Sequence, residues 1–365
     1  MSGDTDTIND TIFSTEEYAE LEFQTNLFKT NLFLLSVSLS VNVFHFYVLT
    51  RKELRSLSIF ILMTAICICD LLYIFVGIYV YGNNVRTYLR IDYCFGYDSL
   101  LVTWLSRLIF PAGEGALFAS VWLVVLMAFF RSISVTFPLN QAIKKVTDKR
   151  ATIISMMIVM LFCYSWNYNL FLVIYRIQEY DSRRGCRLIE ERTPDPVQFR
   201  IVYDAEQKGF LDWVGGIENW ILNAELVLYT LFSALLIFSL RKTRKKKQMM
   251  VSRNQKDNTT KLVLTMTVVF LGSHVFSPIL DLFYDDLMDQ TNFLFNIVSV
   301  VRFILENVHS SSHCFISFFM STQYRDTVKR VLGVGKKRVK VSCECNRKLD
   351  NYKNVDYDEL KVSVS

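Results

Sequence analysis

The sequence is poor in the features that mark catalytic, zinc-binding or disulfide-stabilised proteins. It has four histidines and eight cysteines in 365 residues, and no cysteine stands at zinc-binding spacing from a histidine. It contains no internal repeat, and no Gly-x-Ser or His-x-x-Glu-His context surrounds a histidine. We therefore expect neither an enzyme nor a metalloprotein of this kind, and no nucleic-acid partner.

Residues 1–26 lack basic side chains altogether and hold seven acidic ones. A secretory signal peptide begins with basic residues followed by an apolar run, so this segment does not have that pattern. We expect it to be an extracellular tail, with the first apolar run after it acting as the signal anchor. Asn9 opens the sequon Asn9-Asp10-Thr11, which predicts a glycosylation site if the tail is outside the cell.

Long apolar runs dominate the remainder of a chain that is 52% hydrophobic overall. Seven segments are each long enough to cross about 30 Å of hydrocarbon as a helix. We place them at 27–49, 57–81, 100–136, 152–175, 217–240, 260–284 and 291–320. They predict an all-α membrane protein whose seven-transmembrane helix bundle occupies residues 27–320 and contacts lipid.

The distribution of lysine and arginine predicts the orientation in the membrane. The loops after the first, third and fifth segments are basic, and residues 241–261 hold nine basic side chains against the single acid Asp257. The loops between them are mixed or acidic. Because basic loops stay in the cytoplasm, we expect a plasma-membrane protein with its N-terminus outside and its C-terminus inside.

The segment after the seventh span has the pattern of a short amphipathic helix. Tyr324, Val328 and Leu332 recur at i, i+4 and i+8 with charged residues between them. This predicts a membrane-surface helix at 321–333, followed by a cytoplasmic tail at 334–365. Cys343 and Cys345 in that tail are either palmitoylation sites or unmodified thiols.

Several landmarks occur in a characteristic order. Asn42 and Asp70 lie 28 residues apart in the first two segments, Arg131 and Pro138 close the third, and Pro278 lies in the sixth. This set resembles the rhodopsin-like G-protein-coupled receptors over residues 27–333. Its degenerate form, with MAFFRSISVTFPL and MSTQYRDTVKRV, is most similar to the nematode serpentine chemoreceptors of class W and, through them, to the FMRFamide-type peptide receptors.

The resemblance implies an extracellular ligand and an intracellular heterotrimeric G protein. It assigns G-protein coupling to Arg131 and Pro138 and to the basic third inner loop, represented by Lys245 and Lys246. Phe130 stands where most members have an acid beside the arginine. Activation would follow from a ligand-induced shift between two forms of the inner face.

The ionisable side chains within the apolar segments are the candidate ligand-binding residues. A charged group in the bilayer centre costs at least about 2.5–3.5 kcal/mol, so such residues should face the interior of the bundle. Arg302 and Glu306 lie one turn apart and are expected to pair, either only to neutralise each other or to line a ligand pocket. We assign ligand binding to Glu114, Asn223, His274, Phe276, Arg302 and Glu306.

The resemblance also implies a polar core and a disulfide. Asp70, Ser120 and Ser310 match the cluster that holds Na⁺ in many of these receptors, although a buried acid bonded to hydroxyl groups is an equal or better explanation. No other cofactor is implied. The place of the usual third-helix cysteine is Ser106, so we expect Cys94 and Cys186, the cysteines of the outer loops, to pair instead.

Two functions remain open within the receptor class, with a neuropeptide receptor preferred over a chemosensory receptor for a small environmental molecule. A light receptor is disfavoured because the seventh segment has no lysine for a Schiff base. A membrane transporter is a distant alternative, since the chain has none of the paired repeats and broken helices that transporters show.

Overall fold

The computed structural model describes residues 15–55, 57–90, 99–181, 197–203, 208–250, 267–273 and 292–334. The helices in these ranges are α1 Thr15–Leu49, α2 Lys52–Arg55, α3 Ser58–Arg90, α4 Leu100–Thr136, α5 Gln141–Val146, α6 Lys149–Ile174, α7 Lys208–Met250, α8 at 267–273, α9 Asn292–Met320 and α10 Thr322–Val331. Two strands, β1 Tyr175–Asp181 and β2 Val197–Tyr203, lie between α6 and α7.

Five of the described helices are long and apolar enough to cross a membrane. These spans are Thr25–Leu49, Ser58–Gly82, Leu100–Thr136, Lys149–Ile174 and Trp213–Lys242, and they coincide with the first five predicted segments. Only 267–273 of the sixth segment is described. The seventh segment is α9, whose 29 residues are long enough, but its charged, histidine and hydroxyl side chains lower its hydropathy. The count of seven spans therefore stays a prediction.

The bounds of α4 coincide with the predicted third segment. Ser99 caps the helix by accepting a hydrogen bond from the Val102 amide. At the other end the Phe137 amide donates to the Ile133 carbonyl, and Pro138 follows, where a helix cannot easily continue. The 37-residue helix is longer than a membrane span requires, as its sequence predicted.

Helix α4 packs against α3, α6 and α7, while α1 packs against α3 and α9. Small buried residues on α4, such as Ala116 and Ala119, allow close approach between helices. The closest approach occurs at Gly113, where a Cβ atom would lie only 2.7 Å from Cγ1 of Val76 on α3. No side chain larger than hydrogen fits at that position without displacing α3.

A β-hairpin follows α6 and was not predicted from the sequence. Strands β1 and β2 pair antiparallel, with Tyr175 opposite Tyr203 and Ile177 opposite Ile201. The hairpin contacts the first turn of α4, where the Thr103 hydroxyl donates to the Phe199 carbonyl at 3.3 Å. The all-α expectation is therefore correct for the bundle and wrong for this connection.

The chain divides into two compact units, Met1–Val328 and Lys329–Ser365. In the first unit, Tyr324 of α10 is fully buried and its hydroxyl lies 2.7 Å from Nδ1 of His45. Val328 is buried as the amphipathic pattern predicted, but Leu332 is exposed because α10 has ended one residue earlier. In the second unit, Gly333 takes a φ of 71°, the left-handed conformation common after a helix end.

Replacing Gly113 by alanine tests the contact between α3 and α4. We expect Gly113→Ala to destabilise the folded receptor by about 1–3 kcal/mol, because the new methyl group overlaps Val76. The measurement is the thermal unfolding midpoint of the purified protein in detergent. Gly82→Ala is the matched control, since nothing lies within 4 Å of a Cβ atom there. Adding Val76→Ala to Gly113→Ala should recover part of the loss; an unchanged midpoint in Gly113→Ala would contradict the packing.

Candidate functional site

A cavity of about 140 Å³ lies between α4, α6, α7, α8 and α9. We call it the acidic cavity, because its described lining carries four carboxyl side chains and one basic side chain: Glu114, Glu218, Glu225, Glu306 and Arg302. Aromatic and apolar side chains, among them Phe118, Trp166 and Phe270, form the rest of its wall. Small-molecule sites typically combine such an apolar wall with a few converging polar groups.

The basic side chain of the acidic cavity is engaged by one of the four carboxylates. Arg302 Nε donates to Glu306 Oε1 at 3.0 Å, which confirms the pair expected from their spacing. Glu306 is almost fully buried, and its second oxygen, Oε2, accepts a hydrogen bond of 2.5 Å from the hydroxyl of Tyr73 on α3. Both carboxylate oxygens of Glu306 therefore have donors, one of them from a neighbouring helix.

The remaining carboxyl groups come from α4 and α7. Glu218 and Glu225 are seven residues apart, two turns of α7, and so they lie on the same face of that helix. Glu114 is on α4, beside the tight contact at Gly113, and its side chain is exposed in the cavity. The structure thus brings Glu114, Arg302 and Glu306 together, as the sequence analysis proposed.

Asn223 is not among the described lining residues of the acidic cavity. Its side chain is exposed, and Nδ2 donates to the Asn219 carbonyl one turn earlier at 2.8 Å. At 100° per residue, position 223 lies about 140° around the helix from Glu218, which does line the cavity. Its assignment to ligand binding therefore has no geometric support.

A buried polar cluster joins α1, α3, α4 and α9 near the middle of the bundle. Ser120 donates to Asp70 Oδ1 at 2.6 Å, and Ser310 lies beside the same carboxylate. Asn42 Nδ2 donates to the Ser310 hydroxyl at 3.0 Å. The three residues proposed from the resemblance, together with the first-helix asparagine, therefore form one connected group.

The cluster offers oxygen ligands of the kind that a Na⁺ ion accepts. Asp70 supplies a carboxylate and Ser120 and Ser310 supply hydroxyl oxygens, whereas the nearby His309 and His313 supply nitrogen, which suits a hard cation poorly. Among the described residues, no group of three or more histidine, cysteine or acidic side chains could hold a metal ion. The donors fit a sodium ion in kind, and its presence stays a prediction.

A second, larger cavity of about 570 Å³ lies near the C-terminal end of α4. We call it the arginine cavity, because Arg131 lines it together with residues of α3, α7 and α9 and the start of α10. Ser134, Ser317 and Gln323 are among its polar residues. Pro138 lies in the exposed turn after α4 and is outside the described lining.

Several predicted site residues fall where the structure gives no description. His274, Phe276, Cys94, Cys186 and Asn9 lie outside the described residues, and for Lys245 and Lys246 only the helical backbone of α7 is described. Their assignments stay predictions.

The fifth span places Glu218 and Glu225 with Asn219 and Asn223 among its polar residues, but only Asn223 was assigned to ligand binding, and Tyr73 was not singled out. Glu218 and Glu225 carried a usable signal, since two acids seven residues apart in an apolar span mark one inward face. Tyr73 carried a weaker one, three residues after Asp70 on α3. Its hydrogen bond to Glu306 joins helices 233 residues apart in sequence, which no local pattern specifies.

Comparison with known protein families identifies the family to which the chain belongs. The family model of the serpentine type 7TM GPCR chemoreceptor Srw matches residues 29–335. The chain belongs to this family. The match confirms the class W resemblance and identifies a multi-pass receptor family that is not enzymatic. No curated protein matches the chain.

The hydrogen bond from Tyr73 to Glu306 gives a prediction for this Srw-family receptor. Tyr73→Phe should lower the free energy of unfolding by about 1.5–3 kcal/mol, because it removes a donor from a buried carboxylate. Tyr79→Phe is the matched control, since that hydroxyl bonds the neutral hydroxyl of Ser106, and should cost only about 0.5–1.5 kcal/mol. Both are read from thermal unfolding in detergent. Equal losses of stability in the two variants would show that the hydrogen bond to the carboxylate contributes no more than the one to a neutral hydroxyl.

Proposed function

We propose that this protein is a seven-transmembrane receptor of the plasma membrane, with its N-terminus extracellular and its C-terminus cytoplasmic. It binds an extracellular ligand in the acidic cavity and activates a heterotrimeric G protein at the arginine cavity. The observation that carries the proposal is the placement of the two cavities on one helix. Glu114 and Arg131 are 17 residues apart on α4, about 25 Å along its axis, so the acidic cavity lies at the middle of the helix and the arginine cavity near its C-terminal end.

The basic loops support this assignment of inside and outside. Arg131 lies on the side of the bundle next to Lys144, Lys145 and the basic end of α7, which belong to the loops expected in the cytoplasm. The acidic cavity then opens toward the extracellular side. The arginine cavity, which also includes the start of α10, is large enough to receive a protein segment.

Transmission between the cavities uses helices that contribute to both. Residues of α4, α7 and α9 line each cavity, and the Asp70 cluster lies between the two. A ligand with different affinities for two packings of these helices shifts the population toward the packing that it prefers. The shift changes the shape of the arginine cavity and thereby the affinity for the G protein. Because coupling between two sites is reciprocal, binding of the G protein changes the affinity for the ligand by the same factor.

The ligand is either a neuropeptide or a small chemosensory molecule, and the neuropeptide is our first proposal. At about 140 Å³ the described part of the acidic cavity accepts one side chain or a molecule of comparable size. A peptide would insert one group there and contact the hairpin and outer loops with the rest. Screening cells that express the receptor against a peptide library and a panel of small volatile and water-soluble compounds, with calcium and cAMP readouts, separates the two.

The proposal also includes a disulfide, a glycan and a bound sodium ion. Cys94 and Cys186 form a disulfide, Asn9 carries a glycan, and Asp70, Ser120 and Ser310 hold a sodium ion that stabilises one packing of the bundle. Cys94→Ser and Cys186→Ser should each reduce surface expression, and the double variant should match either single variant. Recovery of both cysteines as free thiols by mass spectrometry would contradict the disulfide.

The role of Arg131 is tested by Arg131→Ala. We expect G-protein signalling, either ligand-free or evoked by an active library member, to fall about tenfold, the effect of losing a charged hydrogen-bond donor at an interface. The measurement is calcium or cAMP output normalised to surface receptor. Lys29→Ala, at an exposed lysine of α1 outside the lining of both cavities, is the control and should signal like the parent. Undiminished signalling in Arg131→Ala would remove the arginine cavity from the mechanism.

A further inference from the structure

We infer that the acidic cavity recognises a positively charged group of the ligand, an organic ammonium or guanidinium. The inference rests on the proposed receptor function and specifies the chemical class of what the receptor binds.

The charges that line the cavity are strongly unbalanced. Four carboxyl groups face a single guanidinium, and that guanidinium already donates to Glu306. Glu306 is further satisfied by Tyr73, so the pair of Arg302 and Glu306 forms a neutral part of the wall. Glu114 and Glu225 also line the cavity, and its described lining has no second basic side chain to pair with them.

Glu225 gives an independent indication that a partner is missing. It is only 4% exposed, it lines the cavity, and its Oε1 makes no hydrogen bond within the described residues. The indole nitrogen of Trp122 lies nearby, yet it too makes no hydrogen bond of normal geometry within the same part of the chain. A buried carboxyl oxygen without a donor is costly, so such groups are normally paired in native proteins.

A ligand cation would supply the missing donors. An ammonium group carries three N–H donors and a guanidinium five, and neither has an acceptor, which suits a site made of carboxyl groups. Phe118, Trp166 and Phe270 add aromatic surface, which attracts cations through the ring faces. An anionic ligand would meet the carboxyl groups of Glu114 and Glu225, while the one arginine of the described lining already donates to Glu306.

The size of the cavity fits a charged group with a short stem. At about 140 Å³ the cavity is smaller than the roughly 300–1,000 Å³ of pockets for drug-sized molecules, so it accommodates a small group. That is the size of a primary amine with a few methylene groups. The rest of a larger ligand would lie outside this cavity.

The test measures binding to the purified full-length receptor with three nearly isosteric probes. These are 4-phenylbutylamine, 4-phenylbutanol and 4-phenylbutyrate, which are cationic, neutral and anionic at pH 7.4. Binding is followed as the rise in thermal unfolding midpoint with probe concentration, because a compound that binds only the folded state stabilises it. We expect the amine to stabilise the parent at lower concentration than the alcohol, and the acid to have no effect.

Two variants and a control locate the effect. Glu225→Gln and Glu114→Gln should each weaken the apparent affinity for the amine about tenfold or more, as loss of one member of a desolvated charge pair does. Glu53→Gln, at an exposed position of α2 outside the lining of both cavities, should bind like the parent. Glu114 is exposed, so its variant tests the inference even if Glu225→Gln does not fold.

The inference is wrong if the amine does not stabilise the parent. It is also wrong if all three probes stabilise the parent equally or if the acid stabilises it most. Full amine affinity in both glutamine variants would overturn it as well. The assay involves no G protein. Failure here with intact signalling that depends on Arg131 would therefore reject only the charge preference, and cation binding without G-protein activation would reject only the proposed function.

Discussion

Ser120 donates a short hydrogen bond to Asp70 in the centre of the bundle, and the packing of the surrounding helices depends on enclosing that contact. Hydrocarbon offers no partner to a polar side chain, so Asp70 must be satisfied from within the bundle. Ser120 connects α4 to α3, and Ser310 of α9 lies beside the same carboxylate. Asn42 of α1 donates a hydrogen bond to Ser310. Helices α1, α3, α4 and α9 thereby meet around one buried acid.

The same constraint accounts for the two cavities. The Asp70 cluster forms a buried polar centre, in which Ser120 donates to Asp70 Oδ1 and Asn42 donates to Ser310. Other polar groups line the cavities, where the helices separate: Glu114 and Glu225 the acidic cavity, and Arg131 the arginine cavity. This Srw-family receptor thus has two cavities of different chemistry, with a buried polar cluster between them.

The features of this arrangement that depend on residues close together in the chain could be predicted from the sequence. The bounds of α4 follow from an apolar run that ends before Pro138, and the pairing of Arg302 with Glu306 follows from their spacing of one turn. Contacts between elements could be predicted only where the family resemblance or a shared inward face indicated them, as for Asp70 with Ser120. The hairpin depends on register between segments, and the position of Asn223 outside the acidic cavity depends on which face α7 turns toward α4. Helical periodicity places residues on a common face but leaves open what that face contacts.

The most direct test of the account is nucleotide exchange on purified heterotrimeric G proteins by the receptor reconstituted in lipid vesicles. Representatives of each major Gα class are tested for the rate at which bound GDP is replaced by a fluorescent GTP analogue. The account predicts that the receptor accelerates exchange on at least one class, and that a peptide matching the C-terminus of that Gα subunit suppresses the acceleration by occupying the arginine cavity. Exchange at the receptor-free rate for every class would contradict it.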